Sequence, residues 1–474
     1  MKTIIQQIAI ELVEKVLRNL QGNGISNIGQ AAKELQSITN TAVLEIIGAA
    51  IREVDTALVA ANKERRVDGL RIKERDVPRT LLTDLGELQY RRTYFETKDG
   101  QRCYLADHVI GVEAYERLSK DLCATLVQHA ADKSMEKAAK DAGVAVSRQT
   151  VNNKVLALKE VAVEAVRAEE TPEELHLFVD EDHVHMKSGR GAIVPLATVT
   201  EGIDTSTKRH RTVNPVHFEG YGMNNHTFFE GIAAFIYEKY DMAQVKQVYV
   251  HADGARWIEA AADYLPNVQF VMDEFHLQKY LRKLGSLEGA SPYVAAICKA
   301  IQNDAFETFV SYCAAIDKKQ DKKGREKLTA LVNYFQNNWD AIVLRMKGET
   351  CGSCTEPLVS HILSKRLSRN PLAWSEHGMR QMAMLRVYTQ NGCVVKARDI
   401  RISRSKAALK QDEKGHAAGY AKYCAYAEKQ MDEVLNHKLD WGIFEKFHFQ
   451  NGKLDGTHMI LKAYGRTRDT FASA

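Results

Sequence analysis

A chain of 474 residues is too long for one ordinary core, so two to four domains are expected. Hydrophobic content of 45%, charged content of 27% and a formal net charge of +4 are those of a soluble globular protein. No apolar run nears the roughly 20 residues of a membrane span. The eight cysteines are scattered, which argues against a disulfide framework and for a reducing cytosol.

Residues 1–75 read as helical. Ile8, Leu12, Val16 and Leu17 recur at helical spacing, as do Leu44, Ile47, Ile51 and Val54. The first residues lack the features of a secretory signal and read as an amphipathic helix. Arg79 to Asp107 is β-like, with a hairpin turn predicted at Lys98-Asp99-Gly100. From Ala114 to Glu160 the pattern returns to helix, and Ala138–Val151 has helix-turn-helix form. Ala139 suits a tight helix contact, Gly143 the turn, and Ser147 the cap of a second helix. That helix would present Arg148, Gln149, Asn152, Asn153 and Lys154 to base edges and phosphates, unless the pair is a plain hairpin in a core.

Thr171-Pro172-Glu173-Glu174 reads as a linker or helix start. Strands are predicted at Leu175–Lys187, Ala192–Thr200 and Thr212–Phe218, a helix at about His226–Tyr240, and strands at Val245–His251 and Val268–Met272. With a helix beginning at Ala255, this is the element order of a ribonuclease-H-like fold. Phe275 to Gly348 reads helical throughout, with Lys318–Lys327 as a charged connector, and helices are predicted again at Pro357–Leu367 and Ser375–Thr389.

Three apolar runs end on an aspartate: Leu175–Asp180, Val248–Asp253 and Val268–Asp273. Acids that close buried parallel strands sit at the rim where α/β proteins build sites. Two divalent cations about 4 Å apart can activate an attacking oxygen and stabilise a leaving one, and hard oxygen ligands suit Mg²⁺. Asp180 is deeper in its run than its same-face neighbour Asp182, which remains a rival. Asp253-Gly254 also reads as a turn whose aspartate caps the helix from Ala255.

Asp180 within Phe178-Val179-Asp180-Glu181-Asp182-His183-Val184, the run His251–Ile258 and Asp273-Glu274-Phe275-His276 together resemble the ISLre-type bacterial insertion-sequence transposases. That family is similar to the Mutator-like transposases, which share an Asp-x-x-His signature after the fifth strand. The resemblance runs from about residue 79 to residue 395. It implies a DDE transposase, with a helical insertion before the last catalytic residue. Leu277–Lys347 fits the insertion, and Glu356 in Cys354–Leu367 matches the glutamate-bearing helix. Asp180, Asp253 and Glu356 would then be the catalytic and metal-holding residues, with Glu376 as a rival for the third. Asp273, His276 and Asp182 would support the site, His276 near a DNA phosphate. The family pattern has a small residue after its glutamate, and this chain has Pro357, which suits a first helical turn and biases Glu356 toward extended geometry.

Lys365, Arg366 and Arg369 lie just beyond Glu356, and Lys396–Lys410 holds six basic residues; both are candidate phosphate contacts or solvated faces. Trp257, Trp339 and Trp374 read as packing residues that could stack on unpaired bases. Cys351-Gly352-Ser353-Cys354 invites a zinc reading, with His361 as a further ligand, but no second cysteine pair completes it.

The expectation is a mainly helical N-terminal region (1–75), a β-hairpin module (76–113) and a helix-turn-helix DNA-binding region (114–170). An α/β ribonuclease-H-like core follows (171–276 and 351–395), interrupted by an all-helical insertion (277–350) and closed by a basic C-terminal region (396–474). The resemblance implies cleavage of element ends and transfer of their 3′ ends to target DNA with two Mg²⁺ or Mn²⁺ ions. Its partners would be the double-stranded terminal inverted repeats and target DNA, bound by a cytoplasmic, nucleoid-associated homodimer. The alternatives are a decayed or domesticated DNA-binding protein and a nuclease without strand transfer.

Overall fold

The computed structural model describes residues 2–401, apart from 24–27, 68, 99, 101, 209 and 370–372, together with Ala425. Asp99 and the part of the basic strip beyond Arg401 lie outside the described residues. The chain forms two units, one built on residues 1–126 and 139–148, the other on 127–138 and 149–399.

The first unit begins with helices α1 (Lys2–Asn23), α2 (Ile28–Ala60) and α3 (Asn62–Val67). Strand β1 (Arg71–Thr83) then starts inside the stretch read as helical, and pairs antiparallel with β2 (Gly86–Glu96), which pairs with β3 (Arg102–Cys103). The chain reverses at Asp84-Leu85 as well as before β3. Thr83 Oγ1 donates to the Gly86 carbonyl at 2.8 Å and accepts from the Leu85 amide at 3.2 Å, and Gly86 has a φ of +128°. A Thr-led turn of this kind lacks the Asp-Gly signature. Val54 and Leu58 of α2 pack on Leu70, Phe95 and Leu105. Helix α4 (Leu105–Val109) carries Asp107, whose buried carboxylate accepts from Tyr90 Oη at 2.7 Å and pairs with Arg92.

Helices α5 (Lys120–Asp132), α6 (Met135–Asp141) and α7 (Arg148–Leu156) follow. The turn between the last two contains Gly143 at φ +70°, a left-handed conformation that glycine adopts without strain.

The second unit is organised on a five-stranded sheet in the order β10-β9-β4-β5-β8. Its strands are β4 (Glu174–His185), β5 (Gly191–Thr200), β8 (Val216–Glu219), β9 (Gln247–Ala252) and β10 (Val268–Met272); β6 (Ile203–Asp204) and β7 (Arg211–Thr212) form a separate short pair. β5 runs antiparallel to both of its neighbours, β4 and β8, whereas β9 is parallel to β4 and β10 parallel to β9. Helix α8 (Asn225–Lys239) buries Phe228, Phe229, Ile232 and Ile236 against Leu175, Leu177, Val179, Val248 and Val250. Burying a side chain of this size is worth roughly 1.5–3 kcal/mol, so this face anchors the sheet. The segment expected as a helix after Asp253 is a 3-10 helix, Arg256–Asp263.

Helices α9 (Glu274–Gly285), α10 (Val294–Gln302), α11 (Phe306–Asp317), α12 (Lys322–Asn337) and α13 (Trp339–Lys347) have a core of their own around Leu277, Phe309, Ile316, Phe335 and Ile342, joined to the sheet through Met272. Trp339 belongs to this packing, against Phe306 and Phe309. The chain then returns along α14 (Thr355–Val359), a π-helical segment (Ser360–Ser364), α15 (Lys365–Leu367) and α16 (Glu376–Gln390). Among the described residues, no helix is long and apolar enough to cross a membrane.

Candidate functional site

Register sets the three aspartates in line, although Asp180 lies inside β4, opposite Leu196 of β5, and not at the strand end expected from its apolar run. Phe178 of β4 lies beside His251 of β9, and Ala252 of β9 beside Met272 of β10. Continuing these parallel pairings past the strand ends sets Asp180 opposite Asp253, and Asp253 opposite Asp273. The rim of a parallel sheet is where such side chains are free to converge.

The three do different work. Asp273 is 1% exposed and caps α9, its Oδ2 accepting from the amides of Phe275 (3.0 Å) and His276 (3.3 Å) while Ser353 Oγ donates to its Oδ1. A carboxylate so engaged is a scaffold: it starts α9 where His276 can reach back over the rim. Asp253 is half-buried, and its Oδ1 accepts from the Ala255 amide at 2.8 Å, which makes the expected turn but not the expected cap, since the 3-10 helix has Ala255 at its N-cap with no side-chain bond. Gly254 turns the chain with a φ of +86°, and a Cβ there would collide with the Asn338 amide. The Asp253 carbonyl accepts from Tyr334 of α12 at 2.9 Å, which ties the helical segment to this turn.

Asp180 is half-buried at the centre. An Asp180 oxygen, a Glu356 oxygen and a ring nitrogen of His276 all lie within 4.8 Å of one another. Burial, and then the negative fields of Asp253, Glu356 and Asp273, push the Asp180 carboxyl up to about 7, against one opposing hydrogen bond from the Glu181 amide. The charges acting on Asp180 are all carboxylates. Crowded hard oxygens without a compensating cation are the donor set that a divalent ion satisfies.

Glu356 sits in the first turn of α14 in helical conformation, not in the extended geometry expected from Pro357. Pro357 is accommodated because the first-turn amides of a helix need no intrahelical partner. Leu358 N already bonds the Cys354 carbonyl at 3.0 Å. The rival Glu376 is exposed in the first turn of α16, outside the cluster. Asp182 faces the helix that follows Glu356, its Oδ1 accepting from Ser364 (3.0 Å) and Ser368 (2.9 Å).

The expected DNA-contact residues divide. Arg148, Gln149 and Asn153 of α7 are exposed and Asn152 and Lys154 half-buried, with Gln149 donating to Asn153 at 2.8 Å. Lys365 is exposed. Arg366 is a correction: it is only 6% exposed, its Nε donates to the Ala130 carbonyl at 3.1 Å, and its guanidinium lies over Trp374. On a helix, adjacent residues point about 100° apart, so exposure of Lys365 turns Arg366 inward.

A second polar cluster joins α13 to β4, β9 and the segment before α14. Arg345 Nη2 donates to His251 Nδ1 (2.8 Å), and His251 Nε2 lies 3.0 Å from His176 Nδ1, with Cys351 Sγ 3.2 Å from the same nitrogen. An arginine only donates, so His251 must carry its hydrogen on Nε2 and pass it toward His176. A metal held by His251 Nε2, His176 and Cys351 would turn an N–H against the guanidinium. Burial also pushes both Cys351 and Cys354 up to about 12, so both thiols are protonated. His251, His176, Cys351 and Arg345 thus form a hydrogen-bonded chain, and Cys354 and His361 lie outside the group of His176, His251 and Cys351.

A profile described as an uncharacterised protein family, UPF0236, matches residues 21–404. The chain belongs to the UPF0236 family. The match takes in every residue of the carboxylate cluster. A UPF0236 protein of Caldanaerobacter subterraneus subsp. tengcongensis, TTE2489, is 30% identical over 401 residues, covering 83% of this chain and 85% of that protein. A second UPF0236 protein of that organism, whose name joins eleven locus designations from TTE0033 to TTE2212, is 31% identical over 383 residues, 80% of each chain. A third, whose name joins four, is 31% identical over 398 residues, 82% of this chain and 84% of its own.

Proposed function

We propose that this UPF0236 protein is a DDE transposase, of the ISLre-type that its motifs resemble, with a ribonuclease-H-like core. It cleaves the ends of an insertion sequence and joins the freed 3′ ends to target DNA. The observation that carries the reading is the convergence of Asp180 and Glu356 across the helical insertion, with Asp253 beside them. The strand order and directions support the core assignment, since an antiparallel trio followed by two parallel strands matches the expected topology. A name that joins eleven loci of one genome is what a self-copying element leaves behind, and it supports mobility for the family.

Asp180, Glu356 and Asp253 would hold two divalent cations, with His276 as a nitrogen donor to one of them. Bound there, the cations would activate the attacking oxygen and stabilise the leaving one. The nitrogen donor favours Mn²⁺ over Mg²⁺ in affinity. Asp273 fixes where α9 begins and so aims His276. The exposed face of α7 and Lys365 would lie along DNA phosphates and base edges, in a nucleoid-associated homodimer on paired ends. The test is incubation of the purified protein with Mg²⁺ and DNA carrying the flanks of its own gene. Cleavage with joined products is expected. Binding without cleavage would make it a DNA-binding protein, and cleavage without joining a nuclease.

The crowding of Asp180 gives a pH signature. Its folded-state pKa is raised from 3.8 to about 7, so the fold favours the protonated form. Stability is then greatest below the unfolded value and is lost as pH rises through about 4 to 7. A cation bound to the ionised cluster opposes that loss. The unfolding midpoint should rise more on adding Mg²⁺ at pH 8 than at pH 5; equal shifts would separate the metal effect from these carboxylates.

A further inference from the structure

We propose that Arg345 is a positioning residue that sets the spacing of the metal-holding carboxylates; the inference rests on the metal reading given above. Arg345 lies in the last turn of α13, at the end of the helical insertion, and is 9% exposed. Its guanidinium makes three hydrogen bonds to three separate segments. Nε donates to the Met272 carbonyl (2.8 Å), Nη1 to the Cys351 carbonyl (2.9 Å) and Nη2 to His251 Nδ1 (2.8 Å). Met272 immediately precedes Asp273, His251 lies two residues before Asp253, and Cys351 leads into the turn that begins α14 and carries Glu356.

A guanidinium is planar and presents its donors in a fixed fork. One rigid group therefore holds the end of β9, the end of β10 and the return to α14 in a single plane. All three acceptors are neutral. Burying a cation against neutral acceptors costs desolvation, which the nearby fields of Cys351, Glu274, Asp273 and Cys354 offset only in part. Fixing the relative positions of the three segments is what that cost accomplishes. Residues that orient metal ligands from behind commonly change metal affinity by roughly 10–100-fold when altered.

The test measures Mn²⁺ binding by electron paramagnetic resonance on the purified full chain without DNA, so the readout is independent of catalysis. Arg345→Lys keeps the charge but cannot span the three acceptors. It should weaken Mn²⁺ affinity by about tenfold while the number of sites at saturation is retained. A role in folding alone would lower the number of sites and leave the affinity unchanged, and that result overturns the proposal. Should Arg345→Lys fail to fold, His251→Leu decides, since it removes one anchor and leaves the two carbonyls. A weakened affinity supports the clamp, and wild-type affinity overturns it. Asp180→Asn separates the two levels. It should abolish Mn²⁺ binding, and full binding in that variant would remove the metal reading and the clamp with it.

Discussion

Asp180→Asn should lower the rate of Mg²⁺-dependent DNA cleavage by at least about 10³-fold, roughly 4 kcal/mol of transition-state stabilisation, with DNA affinity unchanged. The substitution keeps the shape of the side chain and removes its charge. Asp180 stands at the centre of the cluster, within reach of both Glu356 and His276, so no neighbour can replace its oxygen without moving a strand. The same change should stabilise the fold. Burial and three nearby carboxylates already push this group toward its neutral form, and a neutral amide escapes that penalty. The thermal midpoint of the variant at pH 8 should equal or exceed that of the wild type. Lost activity with retained or raised stability is the signature of a residue kept for chemistry. Cleavage within tenfold of wild type, measured as an initial rate on end-containing DNA, would rule Asp180 out of the site.

The second large effect concerns stability. Arg386→Met should destabilise the protein by about 3–5 kcal/mol. Arg386 of α16 is 1% exposed and is among the largest fully buried side chains. Nε donates to the Ile362 carbonyl (2.8 Å), Nη2 to the His361 carbonyl (2.8 Å), and Nη1 to the Ala131 carbonyl (3.3 Å) and Asp132. Two of those carbonyls belong to the π-helical segment, where the regular helical ladder is interrupted. A methionine fills much of the volume but removes all four hydrogen bonds, and a buried acceptor that loses its donor costs about 1–3 kcal/mol. Because the π-helical segment continues the helix of Glu356, loss of this strap should also lower cleavage. Denaturant midpoints check the claim, and a loss below about 1 kcal/mol would show that the strap is dispensable.

What the sequence made legible follows from periodicity. Val248, Val250, Val271 and Met272 are buried, as the apolar runs ahead of Asp253 and Asp273 indicate, while Gln269 is exposed because β10 is the edge strand. The insertion is legible from helical patterning between Leu277 and Lys347, but the charged stretch Lys318–Lys327, expected as a connector, is a connector only up to Asp321, and its remainder is the first turns of α12. Glu356 was not legible from physics, because nothing local distinguishes it from Glu376; the motif pointed to it, and tertiary packing brings it to Asp180. His276 was read as a supporting residue, yet its ring stands among the site oxygens, since the cap on α9 swings it over the rim. Arg366 misled because a basic run gives no account of which member faces inward. Arg345 and Arg386 carried no signal at all. Their partners are mostly backbone carbonyls, and a carbonyl looks the same at every position in a sequence.

Asp180 and Glu356, joined by Asp253 and His276, would hold the divalent cations of the proposed reaction. Anomalous diffraction from crystals soaked in Mn²⁺ tests it most directly. The account predicts a strong peak between Asp180 and Glu356, about 2.1 Å from an oxygen of each. Mn²⁺ peaks found only elsewhere, with the cluster empty at saturating metal and pH 8, would contradict it.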